Sequence, residues 1–153
     1  MLIASFDWET FLPIAFALGG ILVFISFWCF VCWIISSFGG WGRMAKRFPR
    51  TNLPTGKRFS MTSGSVGLAN YNNCLTIHVN EHGIDFAVWP IFAVGHKPVF
   101  IPWADLNNPQ IKRFLWHKYA RIDVGSPKVA TITVTEEVFG TFKDLMAHSM
   151  PTG

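Results

Sequence analysis

The first apolar pattern is a block. From Phe11 to Phe38 the chain runs 28 residues without a charge. At about 1.5 Å per residue, that length crosses a hydrocarbon core of roughly 30 Å with tilt to spare. Pro13 is tolerable in a first turn, and Gly39-Gly40 offers a helix stop. One transmembrane helix is therefore predicted over residues 11–38, after a short N-terminal segment 1–10. Beyond a basic stretch and linker at 39–56, the pattern changes to short alternating runs separated by turn residues. Strands are predicted at Lys57–Thr62, Cys74–Val79, Ile84–Val88, Val99–Ile101, Ile111–Trp116, Tyr119–Val124 and Lys128–Val134. Asn80 to Gly83 reads as a tight turn that uses Gly83 for a positive φ, and Ser63 to Asn73 reads as a loop. After Val134 the period becomes helical. Thr135 is placed as N-cap, Glu136 and Glu137 lie in the first turn, and Val138, Phe139, Phe142, Leu145 and Met146 mark one apolar face.

A second apolar stretch, Ile84 to Trp103, tests this picture. As a spanning helix it would hold Pro90, Pro98 and Pro102 together with Gly95, His96 and Lys97. Interior prolines cost about 3 kcal/mol each, and a mid-bilayer Lys costs about 2.5–3.5 kcal/mol. A second span is rejected in favour of two strands joined by a loop. That loop carries Trp89, Ile91, Phe92 and Val94, with His96 and Lys97 expected at its polar rim. Core packing beneath the C-terminal helix is one reading of it. Contact with a partner or a bilayer is the other.

Composition sharpens the membrane reading. Half of the residues are hydrophobic and only 14% are charged, against about 25% in soluble domains. Asp7 and Glu9 precede the span, whereas Arg43, Lys46, Arg47, Arg50, Lys57 and Arg58 follow it with no intervening acid. The positive-inside bias then predicts an N-terminus outside and residues 57–150 in the cytoplasm. An acidic leader and so long an apolar run argue for a retained anchor over a cleaved signal. Trp41, Met44, Ala45 and Phe48 share one face of "WGRMAKRF", which predicts a short interfacial helix. Trp41, Arg43, Lys46, Arg47, Arg50 and Lys57 form either a stop-transfer flank or a surface for anionic headgroups. Within the span, Ala15, Gly19, Ser26, Cys29 and Ser36 recur at steps that let another helix approach.

Chemistry is sparse. Residues 51–153 hold nine Lys/Arg and seven Asp/Glu, so no basic face for nucleic acid is expected. Cys29 and Cys32 lie in the apolar span, where neither a zinc site nor a stabilised thiolate is expected, and Cys74 is placed in the core. Of the five histidines, His78 and His82 straddle the predicted turn and no other pair shows ligand spacing, so a metal site is not indicated; no phosphate loop, nucleophile elbow or zincin motif is present. No catalytic residue, metal or cofactor is predicted.

Seven strands followed by one helix is the order of a pleckstrin-homology-like barrel. "YNNCLTIHVNEHGIDFAVWPIF" and "HKPVFIPWADL" resemble small bacterial single-span proteins with a PH-like or GRAM-like cytoplasmic domain. That resemblance implies a mainly-β barrel or sandwich closed by a C-terminal helix, and a membrane-proximal adaptor role. The first strand connection lacks the Lys/Arg of lipid-binding PH domains. The expected function is thus a non-enzymatic accessory or scaffold subunit, associated with another integral membrane protein or with itself through the helix. Sensing of anionic lipid by the basic segment is the alternative.

Overall fold

The computed structural model describes residues 7–149, so positions 1–6 and 150 of the expected segments lie outside it. Helix α1 (Trp8–Gly39) is 32 residues long. It is the one helix among the described residues long and apolar enough to cross a membrane. It starts three residues before the predicted point because Asp7 caps it. The Asp7 carboxylate accepts hydrogen bonds from the Glu9 amide at 3.2 Å and the Thr10 hydroxyl at 2.6 Å, satisfying donors that a helix start leaves open. Two compact units divide within α1, between Val31 and Cys32.

The second unit continues into α2 (Trp41–Arg47) and then β1 (Lys57–Val66), β2 (Ala69–Val79), β3 (Gly83–Val88), β4 (Val99–Pro102), β5 (Leu106–Phe114), β6 (His117–Val124), β7 (Ala130–Thr135) and α3 (Glu136–Ser149). The strands form one antiparallel sheet in the order β4-β3-β2-β1-β7-β6-β5, curled into a half-barrel. This matches the predicted fold class: an apolar N-terminal helix, seven mainly-β strands and a closing C-terminal helix. On α3, Val138, Phe142 and Met146 are buried while Leu145 is exposed. Thr135 Oγ1 accepts from the Val138 amide at 3.4 Å, as expected of an N-cap. Trp103, from "IPWADL", stacks on Phe142 at 5.0 Å and donates its indole N–H to the carbonyls of Asn80 and Glu81.

Three differences from the sequence reading have physical causes. Ser63–Asn73 is not a loop; β1 and β2 run through it and meet at a turn around Gly67-Leu68. Its small residues serve close approach. β1 pairs with β7 as well as β2 at Gly64–Val66, and a Cβ on Gly64 would lie 2.5 Å from the Thr133 carbonyl oxygen. Gly83, likewise, is needed for proximity and not for a positive φ, since a Cβ there would sit 2.3 Å from the Ile101 oxygen. Finally, residues 41–50 are not merely a membrane flank. Trp41, Met44 and Phe48 are buried in the same core as the strands, and Pro49 bridges to Val99 at the β4 edge.

Candidate functional site

The loop between β3 and β4 is apolar outside and hydrogen-bonded inside. A 3-10 turn at Pro90–Phe92 opens it, and Gly95 carries a φ of +76° that a side chain would strain. The Ser36 hydroxyl donates to the Gly95 carbonyl, and the Trp41 indole N–H donates to the Lys97 carbonyl at 2.8 Å. Between them His96 is 4% exposed, which corrects its expected place at a polar rim. Its ring lies edge-on to both Trp41 and Tyr71. Nε2 is 2.9 Å from the Tyr71 hydroxyl and Nδ1 is 3.0 Å from the Val94 carbonyl. The neutral ring, with Nδ1–H donating and Nε2 accepting, satisfies both bonds. Burial pushes the His96 pKa below its ordinary value, which favours that form.

This network holds Trp89, Ile91 and Val94 at the surface, 43%, 57% and 39% exposed. Phe92 turns inward and packs against the core, while Lys97 is exposed. The core and contact readings of the loop are therefore divided among its residues. Phe92 and His96 belong to the interior; Trp89, Ile91, Val94 and Lys97 face outward.

The basic segment is divided as well. Trp41 has no exposed surface, so it is a core residue and not a headgroup anchor. Arg50 is engaged too. Its guanidinium makes a two-pronged ion pair with the carboxylate of Asp85, which is 1% exposed. Cross-strand register places Arg58, His78, Asp85 and Phe100 in one transverse row across β1 to β4. His78 Nδ1 sits 3.8 Å from Asp85 Oδ1 and, among the described residues, has no hydrogen-bond partner. Its pKa is lowered by burial, opposed by Asp85 and reinforced by Arg58 and Arg50. Residues 51–55 line a cleft of about 400 Å³ beside Arg50, Asp85 and Phe100, with His82 at its side. Arg43, Lys46, Arg47 and Lys57 stay exposed.

The stripe in α1 separates in the same way. Ala15, Gly19 and Ser26 are exposed and Cys29 is half-buried, whereas Ser36 is 2% exposed and bonded to the loop. Ser36 is accordingly not available for packing against another helix. Among the described residues, no group of three or more His, Cys, Asp or Glu converges as metal ligands would. Asp85 gives no local signal in the sequence, because it is a single buried acid in an apolar strand and its pairing with Arg50 spans 35 residues. In comparisons with known proteins, no protein-family model matches the chain and no curated protein shows significant similarity to it.

Proposed function

We propose that this chain is a non-enzymatic, membrane-anchored PH-like interaction module. In this reading α1 spans the bacterial inner membrane with its N-terminus outside, and the cytoplasmic domain docks on another integral membrane protein as an accessory or scaffold subunit. The observation carrying it is the rigidly backed apolar loop. Trp89, Ile91 and Val94 stay exposed although the backbone beneath them is tied down at Gly95, His96 and Lys97. A fixed apolar patch loses little conformational entropy on docking, and buried aromatic anchors dominate protein contacts. The exposed Ala15, Gly19 and Ser26 would let a partner helix approach α1 closely.

The test is co-purification of the full chain from gently solubilised membranes. Trp89→Asp and Ile91→Asp are better probes than a change at Phe92, whose side chain packs on the core. Each should lose the partner while keeping the wild-type melting temperature. A wild-type chain that repeatedly emerged alone and monodisperse would count against docking. Arg43, Lys46 and Arg47, exposed together on α2, support the alternative of anionic-lipid sensing at about 1 kcal/mol per cation. Since the apolar face of α2 is buried in the core, such binding would be electrostatic and lost at high salt.

A further inference from the structure

Strands β5 and β6 extend beyond their support. β6 pairs with β7 only from Tyr119 onward, and Tyr119 faces Lys112, so the segment Arg113–Lys118 projects as a short two-stranded ribbon. A register shift between Asn107 and Gln110 interrupts the β5–β6 ladder near its base. At its end Phe114 faces His117 across a two-residue turn, Leu115-Trp116. Phe114, Leu115 and Trp116 are 63%, 66% and 84% exposed. Leu115 has a φ of +55° at a position where hairpins ordinarily use Asn, Asp or Gly. An apolar residue thus occupies a strained and solvent-facing turn, against the local preferences of the backbone and of water.

The charges behind the tip are equally unfavourable when isolated. Arg113 stands directly opposite Lys118, with Lys112 next to Arg113, and like charges opposed across strands are destabilising. The ribbon carries no acid; the nearest partner is Glu136, 3.8 Å from Lys118 Nζ in a well-exposed pair. We propose that this hairpin dips Phe114, Leu115 and Trp116 into an anionic lipid surface, with Lys112, Arg113 and Lys118 at headgroup depth.

Geometry and charge favour a bilayer as the occupant. The apolar residues sit at the end of the ribbon, not along one face. The cations lie two to three residues behind the turn, roughly 7–10 Å at about 3.3 Å per residue. That matches the depth of about 5–10 Å to which interfacial elements bury their apolar side. Trp is enriched at that boundary, and anionic headgroups would relieve the Arg113–Lys118 opposition. The inference rests on the anchored reading above for the presence of a bilayer.

The test uses full-length protein in nanodiscs of phosphatidylcholine with or without phosphatidylglycerol. An environment-sensitive fluorophore is attached at Leu115→Cys after replacement of Cys29, Cys32 and Cys74 by Ala. With phosphatidylglycerol present, nitroxide-labelled lipid should quench the probe and aqueous iodide should not. Removing the anionic lipid, raising the salt, or substituting Lys112→Glu with Arg113→Glu should each reduce lipid quenching several-fold at unchanged melting temperature. A probe that stays accessible to iodide in the anionic discs overturns the proposal. So does cross-linking between Leu115→Cys copies, which would assign the tip to a second copy of the chain. Failure of the chain to enter the discs would instead refute the anchor, a separate outcome read from co-elution.

Discussion

Arg50→Met leaves the Asp85 carboxylate without its partner at a position 1% exposed. Methionine returns none of the guanidinium's hydrogen bonds, and removing one member of a buried pair costs about 3–5 kcal/mol. The reciprocal change, Asp85→Asn, leaves a guanidinium that is 19% exposed and able to recover some hydration. Its neutral amide also keeps one acceptor for the same donors, so about 1–3 kcal/mol is expected. The order of the two effects is the sharp prediction: Arg50→Met is the more damaging. In near-UV circular dichroism melts of the detergent-solubilised chain, it should lower the transition by on the order of 10–20 °C. His78 supplies a second signature. With Arg50 gone, one of the charges lowering its pKa is removed while Asp85 remains 3.8 Å away. Protonated His78 can then take over part of the pairing, so the gap between Arg50→Met and wild type should narrow as the pH falls from 8 towards about 6. Equal losses from the two variants, or a gap that widens with acid, would refute a buried pair with His78 in reserve.

Other predictions concern the rest of the domain. Tyr71→Phe removes the donor to His96 Nε2 and should cost about 1–3 kcal/mol, because the ring nitrogen stays buried; urea midpoints check it. In the wild type, burial depresses the pKa values of His78 and His96 below 6.5. The unfolded chain therefore binds more protons once the pH drops through about 6.5, so their contribution to stability is complete above that value and is lost on acidification. Urea titrations between pH 8 and 5 should show this decline, and a flat profile would contradict it. Gly67→Ala places a Cβ 1.9 Å from the Gly39 oxygen at a φ of +60° and should cost at least about 1–3 kcal/mol. Gly140→Ala, in α3 with nothing within 4 Å of the new methyl, should stabilise by about 0.5–1 kcal/mol in the same melts.

Periodicity alone was enough for the broad architecture. A charge-free run needs no tertiary partner to be recognised as a helix of spanning length, and alternation at Cys74–Val79 or Tyr119–Val124 marks strands with one buried face. Thr135, two acids and the spacing of Val138, Phe142 and Met146 marked α3 for the same reason: each signal is local. What depended on distant pairing was hidden. The glycines and serines of Ser63–Asn73 looked like a loop because nothing local reveals that β1 must pass within contact of Thr133. Trp41, Met44 and Phe48 formed an amphipathic face whose partner, bilayer or protein core, is not written in its period; the core covers it. Arg50 looked like one more juxtamembrane cation until folding brought Asp85 against it. His96 passed for a rim residue until Tyr71 and Trp41 enclosed it. An apolar or charged side chain declares what it needs. Only the tertiary structure decides which surface supplies it, since that choice depends on residues 25 to 56 positions away in the chain.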